Sequence, residues 1–76
     1  MNEDFIEFVM NMNRIGAMEQ FGPNAVVVLS EGEAGEYDNN PTIDKYSAMG
    51  YRLADANMFG HGDETMEVLI FIPKES

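Results

Sequence analysis

The residues with the greatest chemical potential are four carboxylates within nine positions. They are Glu31, Glu33, Glu36 and Asp38, and the stretch that holds them reads SEGEAGEYD. Carboxylates at this density can bind a hard cation such as Ca²⁺ or Mg²⁺, act as a general acid and base pair, or imitate the phosphates of a nucleic acid. Each of these chemistries makes a different demand on spacing and burial.

The spacing argues against a metal site and against catalysis. A calcium loop needs the Asp-x-Asp-x-Asp-Gly pattern with a distal glutamate, which does not occur here. His61 with Asp63 and Glu64 offers nitrogen and oxygen donors, but one histidine and no cysteine fall short of the usual zinc ligands. Acid and base pairs work when the two carboxyls are buried to different depths, whereas those at 30–38 are predicted to be exposed. We therefore expect no catalytic residue, no metal and no cofactor, and hence no enzyme.

The composition indicates which classes of partner the chain can bind. The 76 residues carry 14 acids and 4 bases, for a formal net charge of -10, and no cysteine. This charge repels nucleic-acid phosphates and anionic lipid headgroups, and it attracts the basic surfaces with which proteins hold DNA or RNA. No apolar run approaches the roughly 18 to 20 residues that span a bilayer. We expect a cytoplasmic protein, in the host cytoplasm if phage-encoded, that binds neither nucleic acid nor membrane directly and whose partner is a protein with a basic surface, such as a nucleic-acid-binding enzyme.

The acidic stretch lies in a long connection of eleven residues between Leu29 and Pro41. Loops of this length in small domains are functional, disordered or plain solvated connections. Asp63, Glu64 and Glu67 belong to a predicted hairpin, so two negative patches are expected at one end of the sheet. Such patches pair with arginines and lysines, with an exposed aromatic side chain as anchor. The predicted partner-binding residues are Glu31, Glu33, Glu36, Tyr37, Asp38, Asp63 and Glu64.

Residues 2–21 have the pattern of a helix, with Asn2 as N-cap and Gly22-Pro23 as the stop signal. The predicted core stripe, at spacings of three and four, consists of Phe5, Phe8, Val9, Met12 and Ile15. Further apolar residues lie outside this stripe, so the helix is expected to contact something on a second side. The residues predicted for a dimer or partner interface are Met10, Met18 and Phe21.

The remaining elements are a strand at residues 25–29, a helix at 43–49 and two hairpin strands at 51–58 and 65–72. The β-branched run at 25–29 predicts a strand buried on both faces. The predicted fold class is α+β in the order αβαββ, a three-stranded antiparallel sheet packed with two helices. It forms one domain (1–76), with an N-terminal helix (1–22) before a βαββ core (23–76). Because the last strand is apolar on both sides, both sheet faces need cover, from helices on opposite faces or from another chain.

The second helix and the last strand carry a family resemblance. The relevant segments read IDKYSAMGYRL at 43–53 and VLIFIPK at 68–74. They resemble a widespread family of small bacterial and phage domains of unknown function, in which a helix ends in Leu-Asn-x-x-Gly-x-x-Gly-Trp-x-Leu and a hairpin runs into a basic residue. Here Ser47 stands in place of the first glycine and Tyr51 in place of the tryptophan. The resemblance covers residues 25–74, implies a βαββ core and implies no activity.

The sequence supports three functional hypotheses. The first is a small acidic protein-binding module without enzymatic activity, for instance a phage or mobile-element inhibitor that mimics nucleic acid and docks on a basic surface. The second is a structural or regulatory homodimer that uses the apolar helix or a sheet face as its interface and whose charge serves solubility. The third is a small-ligand-binding domain with a polar pocket lined by Tyr46, Tyr51, Arg52 and His61.

Overall fold

The chain folds in the order αβαββ. The structure, a computed structural model, describes residues 3–75 without the side chain of His61. The helices are α1 (Glu3–Phe21) and α2 (Pro41–Ala48), and the strands are β1 (Val26–Leu29), β2 (Tyr51–His61) and β3 (Glu64–Pro73). The predicted α+β fold with a three-stranded antiparallel sheet is confirmed, whereas Asn2, the predicted N-cap, lies outside the described residues. No helix within residues 3–75 is long and apolar enough to cross a membrane.

The strand order is β1-β3-β2, so the last strand of the chain is the centre of the sheet. Residues 66–71 of β3 are consecutively buried. The prediction that the run at 25–29 is buried on both faces was wrong. β1 is an edge strand with half-buried valines, and Leu29 is exposed. The β-branched composition identified a strand correctly, but the position of that strand in the sheet depends on which partner it pairs with.

The two helices cover opposite faces of the sheet, the first of the two arrangements expected. Successive strand residues point to alternate faces. Met66 and Val68 of β3 pack against Val9 and Met10 of α1. On the other face the ring of Tyr46 in α2 stacks on Phe71, with 4.8 Å between ring centroids. Apolar residues on both faces of β3 are therefore covered within one chain.

The face of α1 that packs on the sheet differs from the predicted stripe. Its buried residues are Val9, Met10, Asn13 and Ala17. Asn13 Nδ2 donates to the carbonyl oxygen of Val9 at 2.8 Å, and its Oδ1 accepts from Asn57 Nδ2 at 3.1 Å. Both polar atoms of this buried amide are thereby paired, and Ala17, four residues further along the helix, is buried on the same side. The helix has apolar residues on two sides. The side that packs on the sheet is the one with Asn13 and Ala17, which the pattern did not select.

Three residues of the predicted stripe therefore face outward on α1. Phe8, Met12 and Ile15 are 59%, 45% and 62% exposed, and we refer to them as the outer row. The three residues predicted for a dimer or partner interface also differ in their exposure. Met10 lies in the core and is unavailable to a partner, Phe21 is half-buried, and Met18 is exposed.

The boundaries of the later elements differ from the predicted ones by at most three residues. Helix α2 begins at Pro41 rather than residue 43, because Asn40 caps it. Strand β2 extends to His61, and β3 begins at Glu64. Strand β2 also carries a bulge between Leu53 and Asp55. Gly50 ends the helical segment with a φ of 94°, a conformation that glycine adopts without strain.

Candidate functional site

Residues 30–40, which connect β1 to α2, are organised around the buried side chain of Asn40. This side chain is 1% exposed. Its Nδ2 donates to Ser30 Oγ at 3.1 Å and to the carbonyl oxygen of Glu36 at 3.0 Å. Its Oδ1 accepts from the backbone N–H groups of Thr42 and Ile43 at 2.9 and 3.2 Å. One amide therefore caps α2 and ties both the beginning and the middle of the loop to that helix.

Close packing around Asn40 fixes the start of the loop. The backbone N–H of Glu31 donates to Thr42 Oγ1 at 2.9 Å, and that of Gly32 donates to Ser30 Oγ at 3.2 Å. A Cβ at position 32 would lie 2.6 Å from Asn40 Nδ2, inside van der Waals contact. Glycine is thus required at position 32 by the approach of a neighbouring side chain.

The tip of the loop is held to the sheet by Glu67 of β3. Glu67 is 3% exposed. Its Oε1 accepts from the backbone N–H of Gly35 at 3.3 Å, and its Oε2 accepts from the hydroxyl of Tyr37 at 3.0 Å. Its carbonyl oxygen accepts from the backbone N–H of Ser30 at 2.8 Å, next to the last pair of the β1–β3 ladder. A single glutamate therefore contacts the loop at its start and at its tip.

The contact with Glu67 changes the pKa of Tyr37. The hydrogen bond to Glu67 raises the pKa of Tyr37 above its ordinary value, and desolvation and the negative charges of Glu67 and Asp55 act in the same direction. A neutral phenol is the form that can donate, so the shift keeps the hydrogen bond in place into the alkaline range. Tyr37 as a whole remains 46% exposed.

The predicted acidic residues of the loop all point into solvent. Glu31, Glu33, Glu36 and Asp38 are exposed. A turn in which the N–H of Glu36 donates to the carbonyl oxygen of Glu33 at 3.1 Å separates the first two from the last two. Asp63 and Glu64 are exposed at the turn of the β2–β3 hairpin. Within the described part of the chain, no three acidic or histidine side chains converge as metal ligands would.

The topology brings these two acidic segments to the same end of the sheet. Leu29 pairs with Val68, so the loop that follows β1 begins beside Glu67, three residues from the start of β3. The first turns of α1 lie at this end too, because Phe5 and Ile6 pack on the cluster that contains Met66. The acids gathered here, which we refer to as the acidic pole, are Glu3, Asp4, Glu7, Glu31, Glu33, Glu36, Asp38, Asp63, Glu64 and Glu67.

The acidic pole holds most of the acidic residues of the protein. It contains ten of the 14 acids. Three of the four bases lie away from it, whereas Lys45 lines the cleft that also contains Glu31. Arg52 pairs with Ile72 near the opposite end of the sheet, Lys74 follows β3 there, Arg14 lies in the second half of α1, and Lys45 lies in α2. The molecule is therefore strongly polarised along its strands.

The pocket predicted from Tyr46, Tyr51, Arg52 and His61 is not formed by those residues as a set. Tyr46 and Tyr51 meet edge to face, with 6.0 Å between ring centroids. Arg52 follows Tyr51 in β2 and so points to the opposite face, and the side chain of His61 lies outside the described residues. Tyr46 instead lines a small open cleft between β1 and α2, together with Val28, Leu29, Glu31, Thr42 and Lys45.

Sequence reasoning placed Glu67 in a surface patch, whereas the structure buries it. The hairpin pattern contained the signal that would have found it. Glu67 shares one face of β3 with Leu69 and Phe71, both fully buried, and the ring of Tyr46 in α2 stacks on Phe71. A carboxylate on a covered face must be hydrogen-bonded, and the loop at residues 30–40 offered backbone and side-chain donors.

Comparison with known proteins gives no relative from which a role could be transferred. No family model, no curated protein and no solved structure matches the chain. The resemblance of residues 25–74 to small βαββ domains therefore stays a prediction, and the function must be argued from geometry and charge.

Proposed function

We propose that this chain is a small non-enzymatic protein-binding module that docks through its acidic pole on a basic surface of a partner protein. The observation that supports it is the distribution of charge. Ten of the 14 acids lie at one end, and three of the four bases, Arg14, Arg52 and Lys74, lie away from it. A uniformly acidic skin would serve solubility equally well, so solubility alone does not require this asymmetry.

The organisation of residues 30–40 supports the same proposal. The loop displays four carboxylates on a backbone that Asn40 and Glu67 hold from beneath. A binding surface that is ordered before contact loses less conformational entropy on association than a flexible acidic tail. Tyr37, half-exposed among these acids, supplies an aromatic ring for contact with an arginine or an apolar patch.

The proposed partner class is a protein that itself holds nucleic acid. A row of carboxylates fits an arginine-lined and lysine-lined channel, and it would compete there with the phosphate backbone. In this role the chain would act in the cytoplasm as an inhibitor, of the kind that phages and mobile elements encode. We assign it no reaction and no cofactor.

The test compares two variants with the same change in charge. The loop variant carries Glu31→Gln, Glu33→Gln, Glu36→Gln and Asp38→Asn. The matched control carries Glu19→Lys and Glu75→Lys, which changes the net charge by the same four units at positions away from the acidic pole. A partner is first captured from host lysate by the immobilised wild-type chain and identified by mass spectrometry, and affinities are then measured with the purified partner.

The loop variant is expected to bind about 4- to 800-fold more weakly at low salt, from four exposed ion pairs at about 0.2 to 1 kcal/mol each. The control should bind within about threefold of wild type, since charges beyond a Debye length of roughly 10 Å are largely screened. Duplex DNA should displace the chain from the partner. Equal losses in the two variants would contradict docking through the acidic pole, and failure of DNA to compete would contradict nucleic-acid mimicry.

A further inference from the structure

Strand β1 is an edge of the sheet, and within residues 3–75 no other strand pairs with its outer side. The backbone N–H of Ser30 donates to the carbonyl oxygen of Glu67, so these two residues are a hydrogen-bonded pair next to the β1–β3 ladder. Along an antiparallel ladder, such pairs alternate with pairs whose N–H and C=O groups point away from the other strand. The groups that point away from β3 are therefore those of Val27 and Leu29. These two residues offer hydrogen-bond donors and acceptors to an added strand.

The opposite edge of the sheet, formed by β2, is protected in two ways. Strand β2 carries the bulge between Leu53 and Asp55, and the carboxylate of Asp55 accepts from the backbone N–H of Ala56 at 2.9 Å. Ala56 lies opposite Leu69, whose backbone groups pair with β1, so this N–H points to the open side of β2. Bulges and charged side chains keep an edge from pairing with other chains. Residues 26–29 of β1 include neither device.

The composition of β1 fits a strand with a neighbour on each side. Its four residues are three valines and a leucine, which is typical of strands inside a sheet. At the edge position the valines are only half-buried, and Leu29 is 39% exposed. A further strand along this edge would cover apolar surface that the chain itself leaves in contact with water.

We propose that an extended segment of the partner protein adds to the sheet as a fourth strand along the outer edge of β1. The inference rests on the proposed function, since it describes how the same basic partner is held. Strand β1 leads directly into the loop at residues 30–40, so a segment that lies beside Leu29 continues past Glu31 and Glu33. These exposed carboxylates favour lysine or arginine at that end of the segment. Main-chain hydrogen bonds supply affinity in this mode of recognition, and side-chain contacts supply specificity.

The open cleft between β1 and α2 offers space for one side chain of the added strand. Its volume is about 140 Å³, and its lining includes Val28, Tyr46, Glu31 and Lys45. Cavities of about 150 Å³ hold a group the size of benzene. Alternate side chains of a strand point to the same face of a sheet, so an apolar residue of the segment reaches this cleft beside Val28. Lys45 places one positive charge here, against four carboxylates in the loop, so the surroundings still favour a basic segment.

Two synthetic peptides of equal charge test the inference. The strand-forming peptide is Lys-Lys-Thr-Val-Thr-Val-Thr-Lys-Lys with blocked ends, and the control peptide has proline in place of both valines, which removes two N–H donors and disfavours the strand. In calorimetric titrations at low salt, wild type is expected to bind the strand-forming peptide at least about tenfold more tightly than the control peptide. Equal binding of the two peptides would overturn the edge pairing and leave docking by charge in place. Failure to bind either peptide at millimolar concentration would contradict both.

A pair of proline substitutions tests which edge is used. Leu29→Pro removes an outward N–H of β1 without a change in charge and should abolish the preference for the strand-forming peptide. Met58→Pro is the matched control, because Met58 is 60% exposed and lies opposite Glu67, so its N–H points to the open side of β2. This control should keep the preference. Circular dichroism establishes whether each variant is folded.

Hydrogen exchange on the wild-type chain gives the same test without a substitution. On saturation with the strand-forming peptide, the amide hydrogens of Val27 and Leu29 should exchange at least about tenfold more slowly, and that of Met58 should not change. Protection of Met58 without protection of Leu29 would place the peptide at the other edge and overturn the inference. The loop variant with four neutralised acids separates the two proposals. If it binds both peptides as wild type does, docking by charge fails, whereas edge pairing fails only if the preference for the strand-forming peptide is absent.

Discussion

Residues 30–40 contain neither helix nor strand, yet Asn40 and Glu67 hold them from beneath, whereas α1 is a regular helix whose sheet-facing side the sequence pattern predicted wrongly at three positions. The loop presents charge on a backbone fixed by buried polar groups. The helix presents apolar side chains on a backbone fixed by its own hydrogen bonds. The difference shows that a segment can present its side chains in fixed positions without having regular secondary structure. In this protein the irregular segment is the one whose surface is specified by tertiary contacts.

The largest effect on stability is expected from removing the side-chain amide of Asn40, which holds the loop. Asn40→Ala deletes the α2 cap and both bonds to the loop, and it should lower the free energy of unfolding by about 2 to 4 kcal/mol. Asn40→Asp keeps the cap acceptor and should give an intermediate loss. Urea denaturation measures both. Asn24→Ala, at an exposed asparagine before β1, is the control, and an equal loss there would show that the loop does not depend on Asn40.

A pair of glycine substitutions sharpens the contrast between loop and helix. Gly32→Ala puts a Cβ against Asn40 Nδ2 and should destabilise the protein by about 1 to 3 kcal/mol. Gly16→Ala, in α1, meets nothing within 4 Å and should stabilise it by up to about 1 kcal/mol through helix propensity. Thermal unfolding of both variants measures whether each substitution lowers or raises the stability. Stabilisation by Gly32→Ala would mean that the start of the loop is not packed as described.

The smallest effect is expected at the tip of the loop. Tyr37→Phe removes the hydroxyl that donates to Glu67, and the amide hydrogen of Gly35 should then exchange faster with solvent. In a spectrophotometric titration of wild type, Tyr37 should ionise above the ordinary range of a tyrosine, and Tyr37→Phe should lack that late step.

The sign of the pH dependence follows from the raised pKa of Tyr37. The pKa is higher in the folded protein than in the unfolded chain, so the contribution of this hydrogen bond to stability is complete below the unfolded pKa. It is lost as the pH rises through the folded pKa. Exchange at Gly35 that did not change with Tyr37→Phe would show that Glu67 holds the tip without help from the phenol.

Local signals in the sequence sufficed for the elements themselves. Proline and glycine after Phe21, the β-branched run before Ser30 and the glycines at the hairpin turn predicted two helices and three strands in the right order. Composition likewise identified the acidic loop and the hairpin acids as the candidate site. These features depend on residues close together in the chain, and for that reason they can be recognised without coordinates.

Other properties required contacts between distant residues. The two apolar sides of α1 could be ranked only after Asn13 met Asn57, 44 positions away, and the burial of Glu67 became visible only when Tyr37 and Gly35 reached it from another element. The gathering of ten acids at one end follows from strand pairing, since Leu29 lies beside Val68. The sequence alone determined how much charge and apolar surface this protein carries. Tertiary structure decided where each lies, because a side chain's burial depends on which distant neighbour supplies its hydrogen bonds and covers it from water.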